Sequence, residues 1–313
     1  MAGIDRTTII AGPALVTYDS QSFWSKGDVI VKPVFKRFPI ETAHFGKVDE
    51  RFSDRRYEIT FEPAGQFTDA LAAVLWPYAS LAIGSSIFGS TDKALVVHGR
   101  DGEKITFHNT ALTQMPGIRR AVDKTITAGL KFTALLAKSK DPTDAAAYYT
   151  QATASYPGDT GFSASDIFTL PATAAWGGSS PWSSFSSRDG WEVSFSLKLF
   201  EKTADGYGTF DMMLQGLDVS LKGTPMGPAV SDILTALKTA QALGSSLAGT
   251  NDFVISGGAT GAPVFTLANA ALVDADLGWG GSRDRIGTCE WIATRTVTAG
   301  AADPLFTIEE QGA

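Results

Sequence analysis

Hydrophobic and polar positions alternate in two stretches of this chain. Tyr57, Ile59 and Phe61 are interleaved with Glu58, Thr60 and Glu62, and Trp191, Val193, Phe195, Leu197 and Leu199 with Glu192, Ser194, Ser196 and Lys198. A period of two places the apolar set on one face of a strand, so both stretches predict strands with one buried side. Elsewhere the period is helical. Phe67, Leu71, Val74 and Leu75 precede Pro77, and Ile233, Leu234, Leu237 and Leu243 follow Pro225 and Pro228. These predict two short amphipathic helices, the second over residues 229–243. Strand-like runs at 94–98 and 104–112 flank Asp101-Gly102, and runs at 253–256 and 264–272 flank a Gly-rich stretch at 257–261, so each pair reads as a hairpin. Residues 119–135 and 285–297 read as closing strands. Pro33 interrupts a run at 29–35, which predicts an edge strand or a bulge there.

These elements come in the same order twice, at a nearly constant distance. Pro13-Ala14 with Trp24-Ser25 recurs as Pro171-Ala172 with Trp182-Ser183, an offset of 158. YEITF at 57–61 returns as LDVSL at 217–221, and HNTAL at 108–112 as ANAAL at 268–272, both offset by 160. Residues 123–135 and 284–296 lie 161 apart. A long-period repeat predicts two copies of one unit and pseudosymmetry. The expected fold is mainly β, a tandem duplication of a β-sandwich or barrel unit, each with one short helix. The expected boundaries are a first unit over 1–136, a polar linker over 137–166, a second unit over 167–298 and a tail over 299–313.

Charge separates the two copies. The net charge of −7 divides into +2 over residues 1–150 and −9 over 151–313. Opposite charges favour alternation of the two halves around an assembly, and an acidic chain is poorly suited to gripping nucleic acid by its phosphates. The single cysteine, Cys289, excludes a disulfide within the chain and reads as a small packing residue. The first ten residues lack the basic start and apolar run of a secretory signal, and no stretch is long and apolar enough for a bilayer-spanning helix. The expectation is a protein made in the cytoplasm with no membrane partner.

The catalytic inventory is thin. His44, His98 and His108 have no cysteine or carboxylate cluster to complete a metal set. Gly46-Lys47 lacks the glycines of a phosphate loop, and Gly84-Ser85-Ser86 and Gly244-Ser245-Ser246 have the wrong spacing for a nucleophile elbow. Glu58 with Glu62, or Asp274 with Asp276, could flank a glycosidic bond only if a cleft held them apart. The seven tryptophans, five of them from Trp176 onward, suit core anchors or sugar-stacking platforms. The expectation is no enzyme, no cofactor and no metal.

A duplicated β unit has open edges to hide, and a closed ring hides them together. At this point a family resemblance becomes specific. YEITFEPAG at 57–65 leading into the helix at Phe67, and Asp101-Gly102 leading into KITFHNTALTQMP at 104–116, resemble the major tail tube proteins of long-tailed bacteriophages, in the subset with two fused units. The resemblance covers about 9–136 and 167–297. It implies a structural virion subunit in stacked rings of three chains, pseudo-hexameric, around a lumen through which DNA passes without sequence-specific binding. Implied partners are further copies of the chain, a tape-measure protein and other tail proteins.

It also implies that residues 36–56 form a loop reaching the adjacent ring, carrying Lys36, Arg37, Glu41, Lys47, Asp49, Glu50, Arg51, Asp54, Arg55 and Arg56. The matching stretch at 201–210 is much shorter, which puts sixfold equivalence of the stacking contacts in doubt. By alternation, the candidates for a lumen face are Glu58, Thr60 and Glu62, then Glu192, Ser194 and Ser196, then Thr288, Glu290 and Thr294. A distal or terminator ring protein of the same tail, a carbohydrate-binding or adhesin sandwich, and a hydrolase with a carboxylate pair are the alternatives.

Overall fold

The computed structural model of the chain describes residues 14–64, 69–79, 82–121, 127–144, 146–158, 172–237, 243–246, 249, 251–257, 263–279, 285–295, 297–298, 301–302 and 304–310. The chain is mainly β. Its elements are β1 (Ala14–Tyr18), β2 (Gln21–Ser25), β3 (Ile30–Thr42), β4 (Gly46–Phe61), β5 (Pro63–Ala64), α1 (Asp69–Leu75), β6 (Leu95–Gly99), β7 (Glu103–Phe107), β8 (Asn109–Gln114), β9 (Ile118–Arg120), β10 (Leu130–Leu135) and β11 (Tyr149–Thr153). There follow β12 (Ala172–Trp176), β13 (Phe185–Ala204), β14 (Gly208–Met226), α2 (Val230–Ala236), β15 (Asn251–Gly257), β16 (Pro263–Leu277), β17 (Ile286–Ile292), β18 (Val297–Thr298), β19 (Ala301–Ala302) and β20 (Phe306–Glu310).

The pairings of residues 14–153 recur in residues 172–310. Strand β1 meets β6 through Ala14↔Gly99 and Val16↔Val97, and β12 meets β15 through Ala172↔Gly257 and Ala174↔Ile255. Strand β7 meets β11 through Phe107↔Tyr149, and β16 meets β20 through Leu267↔Phe306. Strand β4 meets β10 through Phe61↔Leu130, and β14 meets β17 through Leu221↔Trp291. Ile30↔Thr60 in the β3–β4 hairpin lies where Ser194↔Ser220 lies in β13–β14. A slip of one residue would turn every side chain to the other face, so matched alternation fixes matched register.

The sheets differ in continuity. In the first half β11-β7-β6-β1-β2-β5 and β3-β4-β10-β8 are separate, because the strand breaks at His108 between β7 and β8. In the second half β16 runs through that point unbroken, with Asn269 at φ 44°, and joins both layers into the path β12-β15-β16-β17-β14-β13-β9. Asparagine tolerates this left-handed backbone better than most residues. Strand β9 leaves the first half and pairs on the edge of β13, so the two halves share a ladder. One core cluster accordingly runs through both, from Val16, Phe23 and Phe132 to Trp191, Trp291 and Phe306.

Several expectations change. Residues 36–56 are not a loop but the outer part of the β3–β4 hairpin, whose turn is at 43–45. Pro33 and Pro39 sit on β3, an edge strand, where a missing N–H costs no ladder bond on the open side. The second hairpin is not much shorter. Measured from the matched pairs, residues 194–220 are only four fewer than residues 30–60.

The expected linker supplies β11, with Ala147 and Tyr148 buried beside it, and the expected tail supplies β20. Each completes the sheet of its own half. The second helix ends at Ala236, and Leu243 is fully exposed beyond it instead of lying on a helix face. Phe67, residues 238–242 and 258–262, and the starts of the closing segments at 123–126 and 284 lie outside the described residues.

Candidate assembly surface

The outward faces of the two long hairpins and their neighbours carry the predicted lumen residues. On β4, Glu58 and Thr60 point opposite to the buried Tyr57, Ile59 and Phe61, and on β13 Glu192, Ser194 and Ser196 point opposite to Trp191 and Val193. Thr288 and Glu290 flank the buried Cys289 on β17. Each carboxylate of this set has a cation beside it: Glu58–Lys131 at 3.7 Å, Glu62–Lys26 at 3.2 Å, Glu192–Arg119 at 3.7 Å and Glu290–Lys222 at 3.4 Å. The face is therefore polar and locally neutralised. Thr294 departs from the set. It lies past the end of β17, donates to the Asn269 carbonyl at 2.7 Å and accepts from the Gly249 N–H at 3.3 Å, a loop-fastening role.

The β3–β4 arm carries Lys36, Arg37 and Glu41 on one strand and Lys47, Asp49, Glu50, Arg51, Asp54, Arg55 and Arg56 on the other. Glu50 sits 3.7 Å from Arg37 and 3.1 Å from Lys47, and Arg51 sits 3.9 Å from Asp49. Exposed pairs of this kind contribute at most about 1 kcal/mol, so the ladder itself stiffens the arm. Arg55 turns inward, its guanidinium 4.8 Å above the Tyr148 ring and its Nε donating to Tyr57 at 3.0 Å. The arm is also greasier than its charges suggest: Phe35, Phe38, Phe45, Val48 and Phe52 are all exposed, Phe45 by 79% and Phe52 by 65%. Exposed apolar side chains gathered on one element mark a contact surface.

The second arm is docked. Its Met212 is buried in a cluster with Phe88, Ala111 and Leu135 of the first half. Residues 84–87 run beside it as an added strand: the Gly84 N–H donates to the Leu214 carbonyl at 2.7 Å, the Leu214 N–H to Ser85 at 3.0 Å and the Ile87 N–H to Met212 at 2.9 Å. Glu201 meets Arg56 at 2.5 Å and Lys36 at 3.7 Å. At the turn, buried Asp54 accepts from the Thr209 N–H at 2.8 Å and its hydroxyl at 3.1 Å. Gly208, at φ 67°, approaches so closely that an added Cβ would lie 2.6 Å from the Asp54 carboxylate. The basic base of one arm thus receives the acidic flank of the other.

Arg120, on the shared ladder, is 97% buried, and it donates to the Pro263 carbonyl at 3.2 Å while its Nε and Nη1 meet no acceptor. Burial without a carboxylate pulls the guanidinium down to about 10. Folding therefore disfavours its charged form, and above pH 10 the folded chain releases that proton before the unfolded chain does, so stability rises with pH there. Arg120→Met is expected to raise the melting temperature at pH 7, by roughly the 1–4 kcal/mol seen when buried charges are replaced by apolar groups. The advantage shrinks as the pH passes 10. Scanning calorimetry at pH 7 and 10.5 checks both parts, and a variant less stable than wild type at pH 7 would show that the cation is needed.

The other candidate chemistry is dispersed. His44 is on the turn of the first arm, His98 pairs with Lys104, and His108 lies between β7 and β8. Partial burial and Lys104 hold His98 below the usual imidazole range. No group of three or more His, Cys, Asp or Glu among the described residues could hold a metal ion. Burial, aided by Asp274 and Asp276, pushes the Cys289 thiol up to about 12, which suits packing and not nucleophilic attack.

Trp76, Trp191 and Trp291 are core residues, and Trp279 is exposed by 73%. A pocket of about 360 Å³ beside α2 is lined by Trp176, Trp182, Asp232 and Asn251. Trp176 meets Trp182 edge-to-face at 5.0 Å and Trp291 at 5.9 Å. No helix among the described residues is long and apolar enough to cross a membrane.

Sequence reasoning missed the docking of Met212 and the strand-like role of residues 84–87. The signal in the sequence is the GSS phrase at 84–86, repeated at 244–246. No protein-family model matches the chain, and no curated protein resembles it in sequence.

Proposed function

We propose that the chain is a structural, non-enzymatic subunit of a bacteriophage tail tube, in which two copies of one β unit stand as neighbours in a ring. The observation that carries this reading is the recurrence of the same pairings in the same register, with the first half passing β9 to β13 of the second beside its pairing with β12. A unit that hands a strand to its own duplicate can hand one to the next chain by the same geometry, and repeated heterologous contacts close a ring where their rotation divides a full turn. Three chains would then supply six units around a lumen.

The neutralised polar face suits passage of DNA. Paired carboxylates leave no dense cationic track from which counterions could be released, so a phosphate backbone gains little by stopping there. The tip of the exposed arm, with charges of both signs and with Phe38, Phe45 and Val48 exposed, fits contacts between stacked rings. In this reading the partners are other copies, a tape-measure protein and the remaining tail proteins, and the protein resides in the virion tail. A distal or terminator ring protein would use the same face and arm.

Electron microscopy of the purified chain at increasing concentration is the test. Rings with six-fold-like outline, or stacked tubes with a central channel, are the expected result. A chain that sediments as a monomer at every concentration and salt would sink the proposal.

A further inference from the structure

Inside one chain the second half meets the first at several places among the described residues, and two of them have counterparts that are exposed. The first is the shared ladder, where Ile118, Arg119 and Arg120 pair with Val193, Glu192 and Trp191. The offset of 160 maps Ile118 and Arg119 to Gly278 and Trp279, and the matched pairs Ile30↔Thr60 and Ser194↔Ser220 map Glu192, Val193 and Ser194 to Asp28, Val29 and Ile30. Trp279 is 73% and Ile30 57% exposed. Both are large apolar residues exposed among the described residues.

The second place is the docked arm. Its cross-strand pair Glu201↔Met212 has Arg37↔Phe52 as counterpart, by the same two offsets. Met212 is 4% exposed and Phe52 65%. The segment that receives Met212 begins Gly84-Ser85-Ser86, and its counterpart is Gly244-Ser245-Ser246. The two glycines share an unusual backbone, φ 88° and φ 86°, and residues 243–246 are exposed.

We infer that the second half of one copy binds the first half of another through these counterparts. Trp279 covers Ile30 and the start of β3, while Phe52 and the adjoining edge of β4 lie along residues 244–246. Arg37, standing where Glu201 stands in the docked arm, reaches the half-exposed Phe200, the counterpart of Lys36, as a cation over a ring. The bulk charges agree, since a half of +2 meets a half of −9. All contacts lie on one interface with one direction: second half to next first half. The inference rests on the reading of the halves as two copies of one unit, and it names which surfaces of that unit bind.

The chain offers a direct test, because its own cysteine is buried. The bridge between Ser86 and Met213 has Ser246 and Ser53 as counterparts. Full-length Ser53→Cys, carrying a size tag, is mixed with full-length Ser246→Cys under a mild copper oxidant. The expected product is a disulfide-linked heterodimer in excess over either homodimer, absent when the unmodified chain replaces one partner. Phe52→Asp and Trp279→Ser should each weaken self-association roughly thirty-fold in sedimentation, the loss a hot-spot aromatic carries, with the circular dichroism unchanged. Association without the 53–246 crosslink, and unaffected by Phe52→Asp and Trp279→Ser, overturns this interface and leaves the tube reading standing. A chain that remains monomeric overturns both.

Discussion

Trp291→Ala is expected to destabilise the chain by about 3–5 kcal/mol, the range for truncating a large buried aromatic. Trp291 is fully buried and stands between Leu221 on β14 and Leu272 on β16, so its ring closes the core of the second half from both neighbours. It packs at 4.9 Å from Phe253, 5.9 Å from Trp176 and 6.0 Å from Trp191, mostly edge to face. Such pairs add to the burial itself. Its indole N–H meets no acceptor, so Trp291→Phe sacrifices no hydrogen bond and is expected to lose less than half as much. Urea titration followed by near-ultraviolet circular dichroism reads both. A loss below about 1 kcal/mol for the alanine variant would mean that this ring does not organise the core.

Met212→Asp is expected to release the second arm. The substitution places a carboxylate among the apolar side chains of Phe88, Ala111 and Leu135. An unpaired buried charge costs more than about 3 kcal/mol, enough to exceed what the surrounding backbone bonds to residues 84–87 hold. Detachment is cheaper than global unfolding because the arm beyond Gly216 pairs with β13 alone on its inner side. Hydrogen exchange should therefore speed up at Gly84, Ile87, Thr209 and Leu214, with β16 and β17 still protected. Protection at those four amides equal to wild type would show that Met212 does not hold the arm.

The alternation at 57–62 and 191–199 was legible because one buried face dictates a period of two, and the strands formed where that period predicts. The linker and tail were misread for a physical cause. Residues 149–153 and 306–310 pair on strands far away in sequence, and β11, four of whose five residues are exposed, carries little burial pattern of its own. The helix at 229–243 was overextended because apolar spacing does not say where a neighbour stops covering it.

By itself the sequence determined a mainly β chain, its strand faces and its two helices, all set by local spacing and residue type. Only the tertiary structure decided which of two similar arms is docked. Met212 and Phe52 are both large apolar residues at matched positions, and nothing local separates 4% from 65% exposure. The separation comes from connectivity: the first half offers residues 84–88 to the second arm, while Phe52 stands 5.0 Å from the Phe35 ring of its own arm. Burial is a property of what lies opposite, and that is settled only when the chain is folded.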